Sequence, residues 1–200
     1  MKILFNFILV IVDFFYKKNL NRFLKKNINN DIKTLVDVGS HKGETILYFL
    51  KNFNVSTIYS FEASKNNYLD LKKNSLKLKK KYKHTTIEIF NLGVGDSNEK
   101  KIFHDLSDSN SSTFREINQN SSYFKRKNKI LSFFFKKNFF INDVFVKQIK
   151  LTSFLEEKKI DHIDVLKIDT EGYELEVLKG LGDKIQIIDT IYFEHHYDNM

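Results

Sequence analysis

Short apolar runs alternate with segments of helical periodicity from Thr34 onward. The run Thr34 to Val38 predicts a strand. After it, apolar residues recur at the spacing that a 3.6-residue period places on one helical face: Ile46, Leu47, Leu50 and Phe53. Alternation of this kind is typical of a parallel sheet covered by helices on both faces. We therefore predict an α/β fold with a doubly wound, mostly parallel sheet.

The same pattern continues along the rest of the chain. It predicts further strands at Thr57 to Phe61, Thr86 to Leu92, Val146 to Leu151, Ile163 to Ile168 and Ile187 to Phe193. A Lys-rich helix follows the second strand, with Ser64 or Asn66 at its start and Tyr82 near its end. Two shorter helices are predicted over Ser153 to Lys158 and Tyr173 to Leu181, and the second is expected to stop at Gly180 or Gly182.

Two segments stand outside this alternation. Residues 1–30 are predicted to form an N-terminal helical segment, whose apolar stretch from Ile3 to Phe15 is too short to span a bilayer. We expect this helix to dock on the domain; the alternative is peripheral membrane contact through residues 3–26. Residues 105–145, rich in Ser, Asn, Lys and Phe, are predicted to be an insertion into a domain formed by residues 31–200.

The amino-acid composition excludes several classes of protein. The chain has 200 residues, 42% of them hydrophobic, which suits one compact domain. It has no cysteine, which excludes disulfide scaffolds, thiolate zinc sites and cysteine nucleophiles. No secretory cleavage site follows the apolar start, so we expect a cytoplasmic protein. If residues 3–26 contact a membrane, we expect the protein to be membrane-peripheral.

Charge is distributed unevenly along the chain. The net charge is +8, but residues 151–200 carry five Lys against twelve Asp and Glu. Acidic groups gathered at one end of a fold are typical of a site for a cation, a polar substrate or proton transfer, whereas nucleic-acid binding would gather the opposite charge. We therefore expect no nucleic-acid partner.

The sharpest local signal is the segment VDVGSHKGE, in which a strand ends at Asp37 and a helix opens after Gly43. Gly39 allows a tight turn, and Gly43 allows close approach to the start of the helix. The segment lacks the middle glycine of the dinucleotide fingerprint G-x-G-x-x-G, and no Walker lysine follows. A ligand-binding turn and a plain strand-to-helix turn both remain open from these residues alone.

Acidic residues follow three other strands. Glu62 ends the second strand, where a carboxylate can accept both ribose hydroxyls of an adenosine; the alternative is a surface carboxylate. Asp169 and Glu171 follow the strand ending at Ile168, and Glu194 ends the next one. Adjacent parallel strands bring these groups to one edge, where they suit a general base, a divalent metal or, for Glu171, a helix cap.

Taken together, these segments resemble the FkbM-type methyltransferases, which use S-adenosylmethionine. The resemblance covers residues 34–196 through VDVGSHKGE, IYSFEAS, NLGVGDSNE, LTSFLEE and VLKIDTEGYELEVLKG leading to IYFEHH. It implies a Rossmann-like fold. It also implies a turn beside the methionine portion of the cofactor, formed by Asp37, Gly39, Ser40 and Gly43. Glu62 would bind the ribose of the cofactor, and Asp96 would lie near its adenine. Asp169, Glu171 and Glu194 would be the acceptor-side acids, and Ser111 to Phe114 would border the site.

Two departures from the family pattern stand out. Ala63 replaces the proline that usually follows the second-strand Phe-Glu pair. Similar methyltransferases also add two further strands after the strand at which this chain ends. The resemblance therefore implies a C-terminally incomplete domain lacking the last two strands, with an apolar edge at Phe193 prone to pairing with another chain.

Our first hypothesis is an S-adenosylmethionine-dependent O-methyltransferase acting on a small-molecule or glycan hydroxyl, with no metal. The second is an inactive, truncated remnant of the fold that binds a membrane surface or a partner protein. A nicotinamide oxidoreductase ranks third, because the central glycine of its fingerprint is missing.

Overall fold

Five parallel strands form the central sheet of the protein in the computed structural model, which describes residues 19, 21–106, 112–116, 125 and 141–193. They are β1 (Asp31–Val38), β2 (Asn54–Phe61), β3 (Thr86–Phe90), β7 (Ile163–Ile168) and β8 (Ile188–Phe193). Their order across the sheet is β3-β2-β1-β7-β8. The chain thus reverses direction across the sheet between β1 and β7, the point at which open α/β sheets bind ligands.

Helices cover both faces of this sheet, as the periodicity predicts. They are α1 (residues 21–27), α2 (Glu44–Asn52), α3 (Lys65–Lys81), α4 (Leu151–Lys158) and α5 (Glu174–Lys179), followed by a 3-10 helix, Gly182–Ile187. Strand β1 separates two apolar clusters: Leu35 packs with α2 and α3, and Val36 packs with α4 and α5. This alternation along a strand buried on both faces confirms the α/β fold class.

Three more strands form a second, smaller sheet that the sequence pattern did not predict. They are β4 (Gly93–Gly95), β5 (Glu99–Leu106) and β6 (Ile141–Lys150), in the order β4-β6-β5. The predicted strand Thr86 to Leu92 therefore ends at Phe90, and the predicted strand Val146 to Leu151 is the end of a longer strand outside the central sheet. The insertion is shorter than residues 105–145, because Leu106 pairs with Ile141.

The N-terminal region docks on the domain where it is described. Leu24 and Ile28 are buried in the cluster that contains α2, and Tyr48 donates a hydrogen bond to Asn21 at 2.9 Å. The stretch Ile3 to Phe15 lies outside the described residues, so its two interpretations stay predictions. Among the described residues, no helix has both the length and the apolar character needed to cross a membrane.

Helix α3 begins as predicted. Ser64 is its N-cap residue and accepts a hydrogen bond from the backbone N–H of Asn67, while Leu71 is completely buried on its inner face. Helix α5 ends at Gly180, also as predicted.

Gly180 gives a direct test of how the two sheets are joined. A Cβ atom at this position would overlap the backbone carbonyl oxygen of Gly95 in β4. We predict that Gly180→Ala lowers the free energy of unfolding by about 2 kcal/mol, since backbone atoms cannot yield as a side chain can. Urea denaturation measures this loss.

Gly182→Asn is the matched control. A Cβ atom at Gly182 would meet nothing within 4 Å, and asparagine tolerates its φ of 51°. Equal destabilisation by the two substitutions would contradict this account of the packing.

Candidate functional site

A cavity of about 390 Å³ opens at the carboxyl ends of the central strands. One wall is polar and contains residues that follow β1, β2 and β7: Gly39, Ser40, Glu62, Asp169, Thr170 and Glu171. The opposite wall belongs to the second sheet and its neighbours and is largely apolar: Leu92, Val94, Phe103 and Phe114. Such a volume, with few polar groups on an apolar surface, is typical of a small-molecule site.

The ammonium group of Lys167 lies at the centre of the polar wall. It donates a hydrogen bond to the carbonyl of Gly39 at 2.8 Å and forms ion pairs with Asp37 Oδ1 at 3.4 Å and Asp169 Oδ2 at 3.3 Å. The Lys167 side chain is 7% exposed and that of Asp37 is completely buried, whereas Asp169 is 36% exposed. Lys167 therefore joins the end of β1 to the end of β7.

Protonation at this centre follows from burial and pairing. Burial alone would lower the pKa of Lys167, but the carboxylates of Asp37 and Asp169 raise it above its usual value. Burial raises the pKa of Asp37, and the charge of Lys167 opposes that rise. Each charge therefore offsets part of the cost of burying the other.

The turn after β1 is held from both sides. Gly39 has φ 75°, and a Cβ atom there would overlap the carbonyl oxygen of Asp169, so only glycine fits between the two strand ends. The N–H groups of Gly39 and Ser40 both donate to the carbonyl of Phe61 at 3.0 Å. The turn is thus fixed against its neighbours at β2 and β7.

Two residues beyond Gly39, the turn continues into a strained segment. His41 has φ 47°, and its ring hydrogen-bonds Glu44 at 3.2 Å. Partial burial favours protonation of Glu44, but hydrogen bonds from the His41 ring and from the backbone of Glu44 and Lys42 lower its pKa to about 2. Glu44 and His41 both line the cavity, so they add to the polar wall.

Glu62 is buried at the end of β2 with its carboxylate in the cavity wall. Its two oxygens accept hydrogen bonds from the backbone N–H groups of His41 at 2.7 Å and Ser64 at 2.9 Å. Burial raises its pKa to about 7 in spite of these donors. The folded pKa exceeds the unfolded value, so this carboxylate makes the protein less stable as the pH rises from about 4.5 to 7.

The loop after β7 carries Asp169 and Glu171 and is held by Glu174. One oxygen of Glu174 accepts three hydrogen bonds, from the N–H and the hydroxyl of Thr170 and the N–H of Gly172, at 3.0 to 3.1 Å. Glu171 lies between these contacts with φ 53°, a conformation that its surroundings must enforce. The carboxylate that caps this loop is therefore Glu174, the first residue of α5, and Glu171 lines the cavity.

Residues 112–116, which we call the strap, hold the same loop from the opposite side. Thr113 pairs with His104 of β5 and donates its hydroxyl to the carbonyl of Thr170 at 3.2 Å. Phe114 packs between Phe103 and Tyr173 and against Gly93. The strap thereby connects the second sheet to the acidic loop. Ser112, Thr113 and Phe114 border the cavity region as the resemblance implies, while Ser111 lies outside the described residues.

The structure brings most, but not all, of the predicted site residues together. Gly39, Ser40, Glu62, Asp169 and Glu171 line one cavity, and Asp37 lies directly behind it. Gly43 faces Leu71 of α3 instead of the cavity. Asp96 is also absent from the cavity wall and lies near Lys101 and Tyr173. Glu194 lies outside the described residues, so its role stays a prediction.

Comparison with known proteins now decides the family. The family model of the methyltransferase FkbM domain matches residues 37–199. The chain belongs to the FkbM methyltransferase family. This FkbM chain is similar to the crystal structure of methyltransferase FkbM from Methylobacillus flagellatus KT, with 15% identity and a TM-score of 0.46. The match covers 77% of this chain and 30% of that chain. No curated protein matches it.

The stability of this FkbM chain should depend on the pairing of the buried charges of Lys167 and Asp37. Lys167→Met leaves Asp37 buried without its cation, and we expect the free energy of unfolding to fall by about 3–5 kcal/mol. The double variant Asp37→Leu/Lys167→Met removes both charges and should recover most of that loss. Asp169 remains in either variant, but it is exposed enough for water to solvate it. Urea denaturation of the two variants at neutral pH compares them; equal losses would contradict the ion-pair account.

Glu174 generates a second prediction. Glu174→Ala leaves three donors without their partner, so we expect a loss of about 1–3 kcal/mol in the free energy of unfolding. We also expect amide hydrogen exchange at Thr170 and Gly172 to become faster. Glu174→Gln should restore slow exchange, since its amide oxygen can accept the same bonds.

Glu176→Ala is the matched control on the same helix. Glu176 pairs with Lys179 at 3.7 Å and makes none of the three bonds. Unchanged exchange at Thr170 and Gly172 in Glu174→Ala would show that the loop is held by other contacts.

Proposed function

We propose that this chain binds S-adenosylmethionine in the cavity and transfers its methyl group to a hydroxyl of a sugar or glycan. One observation carries the proposal: the turn after β1, the Glu62 carboxylate and the loop after β7 line a single cavity at the switch point of the sheet. Family membership supports methyl transfer as the reaction class.

The polar wall fits the chemistry of this cofactor. Glu62 would hold the ribose, because a carboxylate has about four acceptor positions and the two N–H donors fill only part of them. The turn at Gly39 and Ser40 would lie against the methionine portion. When bound, S-adenosylmethionine supplies an electrophilic methyl group on a positively charged sulfur.

Charge in the cavity favours a cationic ligand. Four acidic residues line the cavity, Glu44, Glu62, Asp169 and Glu171, against one lysine, Lys167. In a recess with low-dielectric walls this excess attracts positive charge. The sulfonium centre is therefore matched by the electrostatics of the wall.

The acceptor hydroxyl must lose a proton as its oxygen bonds to the methyl carbon and the carbon–sulfur bond breaks. Asp169 and Glu171 lie on the same rim, and either carboxylate can take that proton. Lys167 and Glu174 act indirectly, because one orients Asp169 and the other fixes the loop that carries Glu171. Most of the acceleration would come from positioning the two reactants in line.

The apolar wall suits an acceptor with a hydrocarbon face. Phe103 and Phe114 lie with ring centroids 4.9 Å apart and both line the cavity opposite the acids. A sugar ring has one face of C–H groups that can pack on an aromatic ring while its hydroxyls reach the polar wall. This arrangement supports a sugar hydroxyl as the acceptor.

Isothermal titration with S-adenosylhomocysteine, the product form of the cofactor, tests the proposal. We expect binding to tighten about tenfold between pH 6 and pH 8, because Glu62 accepts ribose hydroxyls best as a carboxylate and its pKa is about 7. Glu62→Gln should bind more weakly and lose most of this pH dependence.

Gly39→Val should abolish binding, since its side chain would meet the carbonyl of Asp169. Asp169→Asn should spare binding but lower methyl transfer to a panel of sugar acceptors, and Asp169→Asn/Glu171→Gln should remove it. Absence of S-adenosylhomocysteine binding by folded protein at both pH values would refute the proposed function.

A further inference from the structure

Helix α3 is rich in lysine and has little acid to balance it. Seven of its 17 residues are lysines and one is an aspartate. In the whole chain 33 of 200 residues are Lys or Arg, so the helix exceeds the average density, as residues 17–26 and 125–137 also do. The one acidic residue, Asp70, is an ion-pair partner of Lys42 at 3.8 Å and leaves the charge of the helix largely unbalanced.

Two leucines lie in the middle of these lysines. Leu69 is 55% exposed and Leu76 is 54% exposed. Together with Lys73 and Lys80 they recur every three or four residues, which places all four on one stripe of the helix. The opposite stripe contains Leu71 and Ser75, which are buried against the domain. We call the outward stripe, with the adjoining Lys72 and Lys77, the α3 surface.

We propose that the α3 surface binds an anionic lipid bilayer. Leucines flanked by lysines on a helix that lies flat are the pattern of interfacial binding: the apolar side chains enter the headgroup region and the ammonium groups meet lipid phosphates. The charge of the surface is complementary to such a membrane. Because the inner stripe stays packed on the domain, binding needs no unfolding of α3.

Other occupants match the α3 surface less well. A second copy of the chain would place one lysine-rich face against another, and like charges repel. A nucleic acid would meet the lysines but would gain nothing from two exposed leucines. The leucines are thus the observation that favours a bilayer.

Co-sedimentation of the full chain with vesicles tests the proposal. The vesicles are phosphatidylcholine alone or phosphatidylcholine with about 30% phosphatidylserine. We expect roughly fivefold more bound protein on the anionic vesicles, and loss of the difference in about 0.5 M NaCl, where charge interactions are screened. Equal sedimentation with both vesicles would overturn the proposal.

Two pairs of variants assign the binding to α3. Leu69→Ser/Leu76→Ser and Lys73→Gln/Lys80→Gln should each lower the bound fraction on anionic vesicles at least roughly threefold. Their controls are Leu175→Ser, an exposed leucine on α5, and Lys100→Gln/Lys147→Gln, an exposed lysine pair on β5 and β6. All four should keep the thermal unfolding curve of the unmodified chain, because the replaced side chains are exposed.

Three results would overturn the proposal in distinct ways. If the α3 variants sediment like the unmodified chain, any lipid binding belongs to another segment. If only the lysine variant loses binding, the α3 surface is a general polyanion site. If the leucine variant instead converts a dimer to a monomer on size-exclusion chromatography, the surface binds a second copy.

Discussion

The buried ammonium group of Lys167 is the contact on which the geometry of the cavity depends. Parallel strands β1 and β7 lie side by side, and their pairing ends at Val38 and Ile168. Lys167 continues the connection beyond the ladder by binding Gly39 and Asp169 together, with Asp37 as its buried counterion. The close contact of Gly39 with the Asp169 carbonyl is possible only because both sides are held in this way.

Sequence pattern was sufficient for the central sheet and for half of the site. The buried strand Ile163–Ile168 is an apolar run with two polar residues, Asp164 and Lys167, and glycine in a turn after a strand has a clear steric reason, so Gly39 and Glu62 could be found from their positions alone. Strand β5 was missed and only the end of β6 was predicted, because polar residues interrupt both strands. Their alternation was a usable signal, since Phe103 faces inward and Ile102 outward.

The residues that sequence reasoning missed act through contacts distant in the chain. In the sequence, Lys167 is a polar residue within an otherwise largely apolar strand and gives no sign of a role. Its ion pair with Asp37, 130 positions away, forms only when the chain folds. Glu174 could have been suspected as an acidic residue in the first turn of a helix. The strap was expected near the site only from the family resemblance, because Thr113 contacts Thr170 only when the second sheet is in place.

The position of the strap has a consequence for how new specificities arise. Its five residues lie within the segment that connects β5 to β6, while every contact expected for the cofactor comes from β1, β2 and β7. Under the proposed function, changes in the length or sequence of that connection would remodel the aromatic wall through Phe114 and leave the residues proposed for the cofactor unchanged. One scaffold would in this way diversify toward different acceptors by altering a single loop.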